Sequence, residues 1–256
     1  MKAAVVVANE DVQYQEIEEP QAKPGWVKIK VKASGICGSD VGIYHGTNAA
    51  ATYPRIIGHE MVGRVDEVGS NVKNLKVGDR VIVNQVTSCG HCYPCKIGRG
   101  NVCDNLKVRG VHIDGGYREY IAVPESDCYL LPDSLSDQDA VMIEPTTIAI
   151  QSCTRAQLEK DDMPSREDEA TTRQIRTALD AVGILLADHI IVADIMDEKL
   201  EAAKKNGAKY TINVLKEDLV EKVKEYTFGH GATVSIDSAC TKDSLINLLQ
   251  ATGNAG

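Results

Sequence analysis

Four cysteines fall within fifteen residues, as Cys89, Cys92, Cys95 and Cys103 of "CGHCYPCKIGRGNVC", and no other feature constrains the chain as much. Tetrahedral zinc takes four thiolates at about 2.3 Å, and two-residue spacers inside a tight turn let neighbouring sulfurs converge on one ion. Four thiolates leave no open coordination position, so the spacing predicts a structural zinc that holds a loop. Two disulfides or a redox pair are the competing readings, and a reducing compartment disfavours both.

That compartment is expected to be the cytoplasm. Met1-Lys2-Ala3-Ala4-Val5 reads as the start of a strand and not as a secretory signal. No apolar run approaches the roughly 20 residues of a membrane helix, so no membrane partner is expected. The formal net charge is -9 over 256 residues, and no cluster of Lys and Arg is available to track phosphates, which argues against nucleic acid. Small-molecule chemistry remains.

The patterning changes along the chain. Up to about residue 130 it shows short alternating or apolar runs, "KAAVVV", "WVKIKVKASGI", "MVGRVDEVG", "DRVIVNQV" and "YREYIAVP", separated by Gly, Pro and Asp. These predict a strand-rich barrel. Ser136 with Asp139 forms a capping pair, and "AVMIEPTTIAIQSCTRAQL" then reads as a helical stretch interrupted at Pro145. After residue 160 the order is α/β: "HIIVADI" as a buried parallel strand, "DEKLEAAKKNGA" as a helix ending near Gly207, then "KYTIN", a helix and "ATVSIDSA". The expected domains are 1–160 and 161–256.

A second set of metal-binding residue types is scattered: Cys37 in "GICGSD", His59 and Glu60 in "GHEMVG", and Glu144 in "MIEPTT". Singly, each has a plain reading as a buried thiol, a hydrogen-bonded imidazole or a solvated acid. Together with "GHEMVGRVDEVGSNV", "GDRV" and the four-cysteine loop, in this order, they resemble the zinc-containing alcohol dehydrogenases of the medium-chain type, in particular the polyol, threonine and sugar-acid branch. The resemblance implies an α+β domain, a GroES-like β-barrel, followed by an α/β Rossmann-type parallel sheet. It also implies one structural and one catalytic zinc, with NAD as cofactor. The catalytic ligands implied are Cys37, His59, Glu60 and Glu144, with Glu60, the acid after the histidine, able to enter or leave the shell. Zinc there acts as a Lewis acid on a substrate hydroxyl. Ser39 matches the hydroxyl that starts the family's proton relay. The relay's usual histidine position is Gly42 here, and His45, one helical turn on, is the candidate substitute.

The cofactor site reads less completely. Asp194, ending "IIVAD", matches the acid that grips the adenosine ribose and favours NAD over NADP. The G-x-G-x-x-G turn expected about 20 residues earlier is not there: Asp168, Ala170 and Arg173 stand near its three positions. "DDMPSRED" lacks the apolar run of a buried parallel strand and reads instead as a helix start. Ser165 and Asp168 would then be its capping pair, and Ile175, Leu179, Val182 and Leu186 its apolar stripe. A carboxylate about 4 Å from a pyrophosphate costs on the order of 4 kcal/mol at an effective dielectric of about 20, about a thousandfold in affinity. Residues near 163 to 188 therefore read as a substituted block, of the kind two compensating reading-frame shifts produce. Poor NAD binding is expected of it.

The chain stops soon after "ATVSIDSA", short of the further strands that the family's sheet and dimer contact use, so the family's homo-oligomer contact is expected to be lost and the sheet to be incomplete. The leading expectation is a zinc-dependent oxidoreductase that passes hydrogen from a secondary alcohol to NAD. The alternative is a non-catalytic zinc-binding remnant of such an enzyme. A zinc-free quinone reductase of the same fold is opposed by the metal ligands.

Overall fold

Strands dominate the amino-terminal half because apolar residues alternate along it. In chain order they are β1 (Lys2–Ala8), β2 (Asp11–Glu16), β3 (Trp26–Ser34), β4 (Arg55–Ile56), β5 (Met61–Val68), β6 (Arg80–Val83), β7 (Val86–Thr87), β8 (Lys107–Val108), β9 (Tyr120–Pro124) and β10 (Cys128–Leu130). The computed structural model describes residues 1–155, 164–166, 190–239 and 241–253. The chain divides into two units, Met1–Glu144 and Pro145–Gly256.

In the first unit an antiparallel sheet runs β10-β6-β5-β3-β9, beside smaller sheets β2-β1-β4 and β7-β8. Side chains two apart share a face of a strand. Val27 and Ile29 of β3, Met61 and Val65 of β5, Val81 and Val83 of β6, and Ile121 and Val123 of β9 accordingly form one buried cluster. Burying each such side chain is worth about 1.5–3 kcal/mol. Register shifts between Lys28 and Ile29 and between Val31 and Ala33 interrupt the β3–β5 ladder, and irregularities of this kind bend a strand and increase its twist, as a curled sheet requires.

Short helices punctuate the strands: α1 (Gly38–Tyr44), α2 (Tyr93–Lys96), α3 (Asp137–Val141) and α4 (Ile143–Arg155). The Ser136 hydroxyl accepts from the Asp139 N–H at 3.1 Å and caps α3, as its pairing with Asp139 predicts. The helical stretch does not break at Pro145. It breaks at Met142, and Pro145 lies in the first turn of α4, where its missing N–H is not needed.

The second unit is a parallel sheet of β11 (Pro164–Arg166), β12 (Ile191–Asp194), β13 (Tyr210–Asn213) and β14 (Val234–Ile236), in the order β13-β12-β11-β14. The helices α5 (Asp197–Lys205), α6 (Leu219–Tyr226) and α7 (Lys242–Ala251) connect or follow these strands. Strand β12 is buried on both faces: Val192 packs with Leu200 and Ala203, and Ile191 and Ala193 pack with Ile212, Leu219 and Val223. This is why "IIVAD" reads as a continuous apolar run.

The structure corrects one expectation here. Residues within "DDMPSRED" form a strand, not a helix start: Ser165 aligns with Ile191 on one side and with Ser235 on the other. Backbone pairing to two neighbours decides the matter, and the polar composition that argued against a strand is overridden. Pro164, which has no N–H to give, is its first residue. Asp168, Ala170, Arg173 and the stripe from Ile175 to Leu186 lie outside the described residues. Among the described residues no helix is long and apolar enough to cross a membrane.

Candidate metal centres and cofactor site

The four-cysteine loop is carried on a two-stranded stem, with Val86 paired to Val108 and Thr87 to Lys107. Cys92 is the residue before α2, Cys95 lies within that helix, and Cys103 follows a short 3-10 turn, Gly100–Val102. The sulfurs converge: Cys92 Sγ is 3.3 Å from Cys95 Sγ and 3.7 Å from Cys103 Sγ. A zinc tetrahedron with bonds of about 2.3 Å has edges of about 3.8 Å. Backbone N–H groups already point at the sulfurs, from Cys92 to Cys89 Sγ and from Cys89 and Asn105 to Cys103 Sγ. None of the four forms a disulfide. The N–H groups of His91 and then Cys92 draw the Cys89 thiol down to about 6. The neighbouring Cys92 sulfur is the main cause that pushes Cys95 up to about 12. Sulfurs this crowded resist ionising together, and a divalent cation is the partner that lets all four do so.

The second centre is assembled from separate segments. Cys37 precedes α1, and the helix starts there because the Asp40 side chain reaches back to accept the Cys37 N–H at 2.9 Å. His59 and Glu60 lie between β4 and β5, after Gly58, whose φ is +91° and whose added Cβ would sit 2.4 Å from the Tyr117 ring. Ligand atoms of Cys37, His59 and Glu60 all lie within 4.8 Å of one another. His59 and Glu60 are both buried. Gly35 leaves the space that Glu60 fills: a Cβ there would lie 2.0 Å from Glu60 Oε2. Glu144 is buried nearby but does not join the group of three, and its Oε1 accepts from Gln85 Nε2 at 2.7 Å.

Asp40 is the functional residue that sequence reasoning missed, although "GICGSD" contains it. It is 1 % exposed and accepts from the N–H groups of Cys37 and Gly58 and from the Tyr117 hydroxyl. Its Oδ1 stands 3.6 Å from His59 Nδ1. Burial by itself would lower the pKa of His59; Asp40 first and Cys37 second overrule it and lift the imidazole to about 10. The hydrogen bond to His59 in turn draws Cys37 below the ordinary thiol range. Burial pushes the Glu60 and Glu144 carboxyls up. One imidazole thus faces a thiol and several acids, with His59, Glu60, Asp40 and Glu144 all buried. This donor set fits a divalent cation of the zinc type.

Of the residues expected in a proton relay, Ser39 is in the first turn of α1, two residues after Cys37. His45 ends the same helix, but its Nδ1 is 3.0 Å from Glu10 Oε1 at an exposed position. In the second unit Asp194 ends β12. Its Oδ1 accepts from the Met196 N–H at 2.8 Å, and Lys199 Nζ lies 3.7 Å from its Oδ2.

Comparison with known proteins fits this geometry. The model of the alcohol dehydrogenase GroES-like domain matches residues 23–133, and that of the zinc-binding dehydrogenase domain matches residues 161–256. The starvation-sensing protein RspB of Escherichia coli (strain K12) is 43% identical over 245 residues, covering 94% of this chain and 70% of its own length. The sorbitol dehydrogenase of Bacillus subtilis (strain 168) is 34% identical over 260 residues, covering 100% of this chain and 73% of its own length. A crystal structure of an alcohol dehydrogenase (rspB) from Escherichia coli CFT073, complexed with the cofactor NADH, superimposes with a TM-score of 0.90 at 41% identity, over 100% of this chain and 74% of that one. A GroES-like barrel followed by a Rossmann-like sheet, with these matches, places the chain in the zinc-binding alcohol dehydrogenase family, oxidoreductases that use zinc and a nicotinamide cofactor.

Proposed function

We propose that this chain oxidises a secondary alcohol of a polyol or sugar acid with NAD. Cys37, His59 and Glu60 hold the catalytic zinc with Glu144 in reserve, and Cys89, Cys92, Cys95 and Cys103 hold the structural zinc. The observation that carries the reading is the group of a half-buried Cys37 with the buried His59 and Glu60, their ligand atoms within 4.8 Å of one another. When bound, zinc would lower the pKa of the alcohol and NAD would take the hydride from its carbinol carbon. The protein supplies the rest. Asp40 orients His59 from behind, as acids commonly do for ligating imidazoles. Ser39, in the first turn of α1 just after Cys37, receives the alcohol proton and passes it outward. Asp194, steadied by the Met196 N–H, offers its carboxylate to the ribose hydroxyls of NAD. The substrate class rests on the likeness to sorbitol dehydrogenase and on "GVHIDGGYREYIAVP", which resembles sugar-acid dehydrogenases.

A second reading is favoured by one specific observation: Asp168, Ala170 and Arg173 stand where the glycine turn of a dinucleotide site is expected. On that reading the chain is a non-catalytic zinc-binding relative. Titration of NADH fluorescence separates the two, since saturable binding supports the enzyme and its absence supports the remnant. Metal analysis should find about two zincs per chain, and His59→Ala should remove one of them. A wild-type protein with a single zinc sinks the catalytic assignment. A screen of NAD reduction over polyols, hexonates, threonine and butanediol then fixes the substrate class.

A further inference from the structure

The catalytic centre proposed above has more acids than it needs. Glu60 is in the ligand group with Cys37 and His59, while Glu144, equally buried, is not. Both carboxyls are pushed up by burial, so neither rests comfortably in that environment. A bound cation would relieve either one. Something must therefore decide which carboxylate ligates, and the structure places an amide against one of them. Gln85 Nε2 donates to Glu144 Oε1 at 2.7 Å.

Gln85 is well placed to hold a position. It lies between β6 and β7, at the foot of the cysteine-loop stem, and its carbonyl accepts from the Arg109 N–H at 2.8 Å. The preceding residue, Asn84, donates its N–H to the Asp127 carbonyl at 2.7 Å. The Arg109 guanidinium in turn donates to Asp127 Oδ2 at 2.6 Å, and Arg109 is 2 % exposed. The backbone on which Gln85 stands is thus tied at two points to a buried ion pair. A neutral amide can fix a carboxylate in place without adding a charge that would compete with a cation.

We infer that Gln85 is a positioning residue: it holds Glu144 back from the group of Cys37, His59 and Glu60, and so keeps a coordination position open for the substrate oxygen. The inference rests on the assignment of the second zinc to those three residues. Without Gln85, Glu144 enters the ligand set and fills the open position.

Cobalt(II) substitution in the full chain tests this, because its visible spectrum reports coordination number, and imidazole added as an exogenous ligand reports whether a position is open. Wild type should bind two cobalt ions and show a spectral change with imidazole. Gln85→Leu should alter the spectrum of the second ion and weaken imidazole binding about 10–100-fold, the usual size of such outer effects. Glu144→Gln alone should leave the spectrum as in wild type. The Gln85→Leu/Glu144→Gln double variant should return to it, which a merely structural role for Gln85 would not produce. Gln85→Met, of nearly the same length, serves if Gln85→Leu does not fold. A Gln85 variant with the wild-type spectrum and imidazole affinity overturns the inference, as does a spectral change that persists in the double variant. A wild-type protein that takes up one cobalt, at the cysteine loop, overturns the catalytic zinc itself and with it this role.

Discussion

The two proposed metal centres use opposite constructions. The cysteine loop draws four identical donors from residues 89 to 103, on a single two-stranded stem, with backbone N–H groups already aimed at the sulfurs. The other centre brings a thiol, an imidazole and a carboxylate from the start of α1 and the segment before β5, and surrounds them with Asp40 and Glu144. Identical donors close around an ion and leave nothing to adjust. Mixed donors with a spare acid leave a choice of ligand, at the cost of burying carboxyls that resist ionisation. The first construction suits a fixed loop and the second suits a site that must admit a substrate.

The largest expected effect is on the cysteine loop. Cys95→Ser should lower the metal content by one zinc and cost several kcal/mol, since binding at structural zinc sites is worth about 10–16 kcal/mol in isolated peptides. Guanidinium unfolding alongside metal analysis reads both. A variant within about 0.5 kcal/mol of wild type, the range of an ordinary surface change, would mean that the loop does not depend on its metal and would break the comparison. Next is the anchor of the stem. Asp127 accepts from Arg109 and from the Thr87 hydroxyl, and Arg109 Nε already has no partner. Asp127→Asn leaves a buried guanidinium uncompensated and should cost about 3–5 kcal/mol. The cysteine-loop zinc should still bind, which would separate the support of the loop from its metal.

The same contrast governs what could be read from the sequence. The cysteine loop was legible because its donors are close in the chain and their spacing is itself geometric information. The alternation of "WVKIKVKAS" gave β3 for the same reason, since a period of two is local. Asp40 was not legible as a hub, because its partners Gly58 and Tyr117 are 18 and 77 residues away. Gln85 and Glu144 are 59 residues apart and share no pattern. Strand β11 escaped notice because its polar side chains say nothing about the neighbours that pair with its backbone, and Pro145 misled because a proline in a first turn is no breaker.

A smaller effect sharpens the account of the mixed centre. Gly35 has an ordinary φ, so it is glycine for space alone: its Cβ would meet Glu60 Oε2 at 2.0 Å and Val141 Cγ1 at 3.1 Å. The Glu60 carboxylate, the flexible partner, would have to move. Gly35→Ala should therefore weaken zinc at this centre about 10–100-fold, measured by competition with a chelator, while the cysteine loop keeps its affinity. Equal affinity in the variant would remove Glu60 from the ligand set.

The smallest effect comes from a carboxylate held by backbone N–H groups, without a metal. The Glu125 carboxylate accepts the successive N–H groups of Lys73, Asn74 and Leu75. These bonds, Asn74 first, hold its carboxyl below the ordinary value of 4.5. A carboxyl lowered on folding contributes stability that is complete above its unfolded pKa and is lost as pH falls through the folded one. Glu125→Gln should therefore lower the melting temperature by a constant amount near neutrality. That gap should narrow below about pH 4.5, as the wild-type carboxyl takes up its proton. Both zincs should remain, because the residue touches neither centre. A gap that persists unchanged to about pH 3 would assign the loss to altered packing and not to the anion in its ring of N–H groups. Loss of a metal in the same variant would show that the barrel's loops are coupled to the centres, and would end the view of the cysteine loop as a self-contained unit.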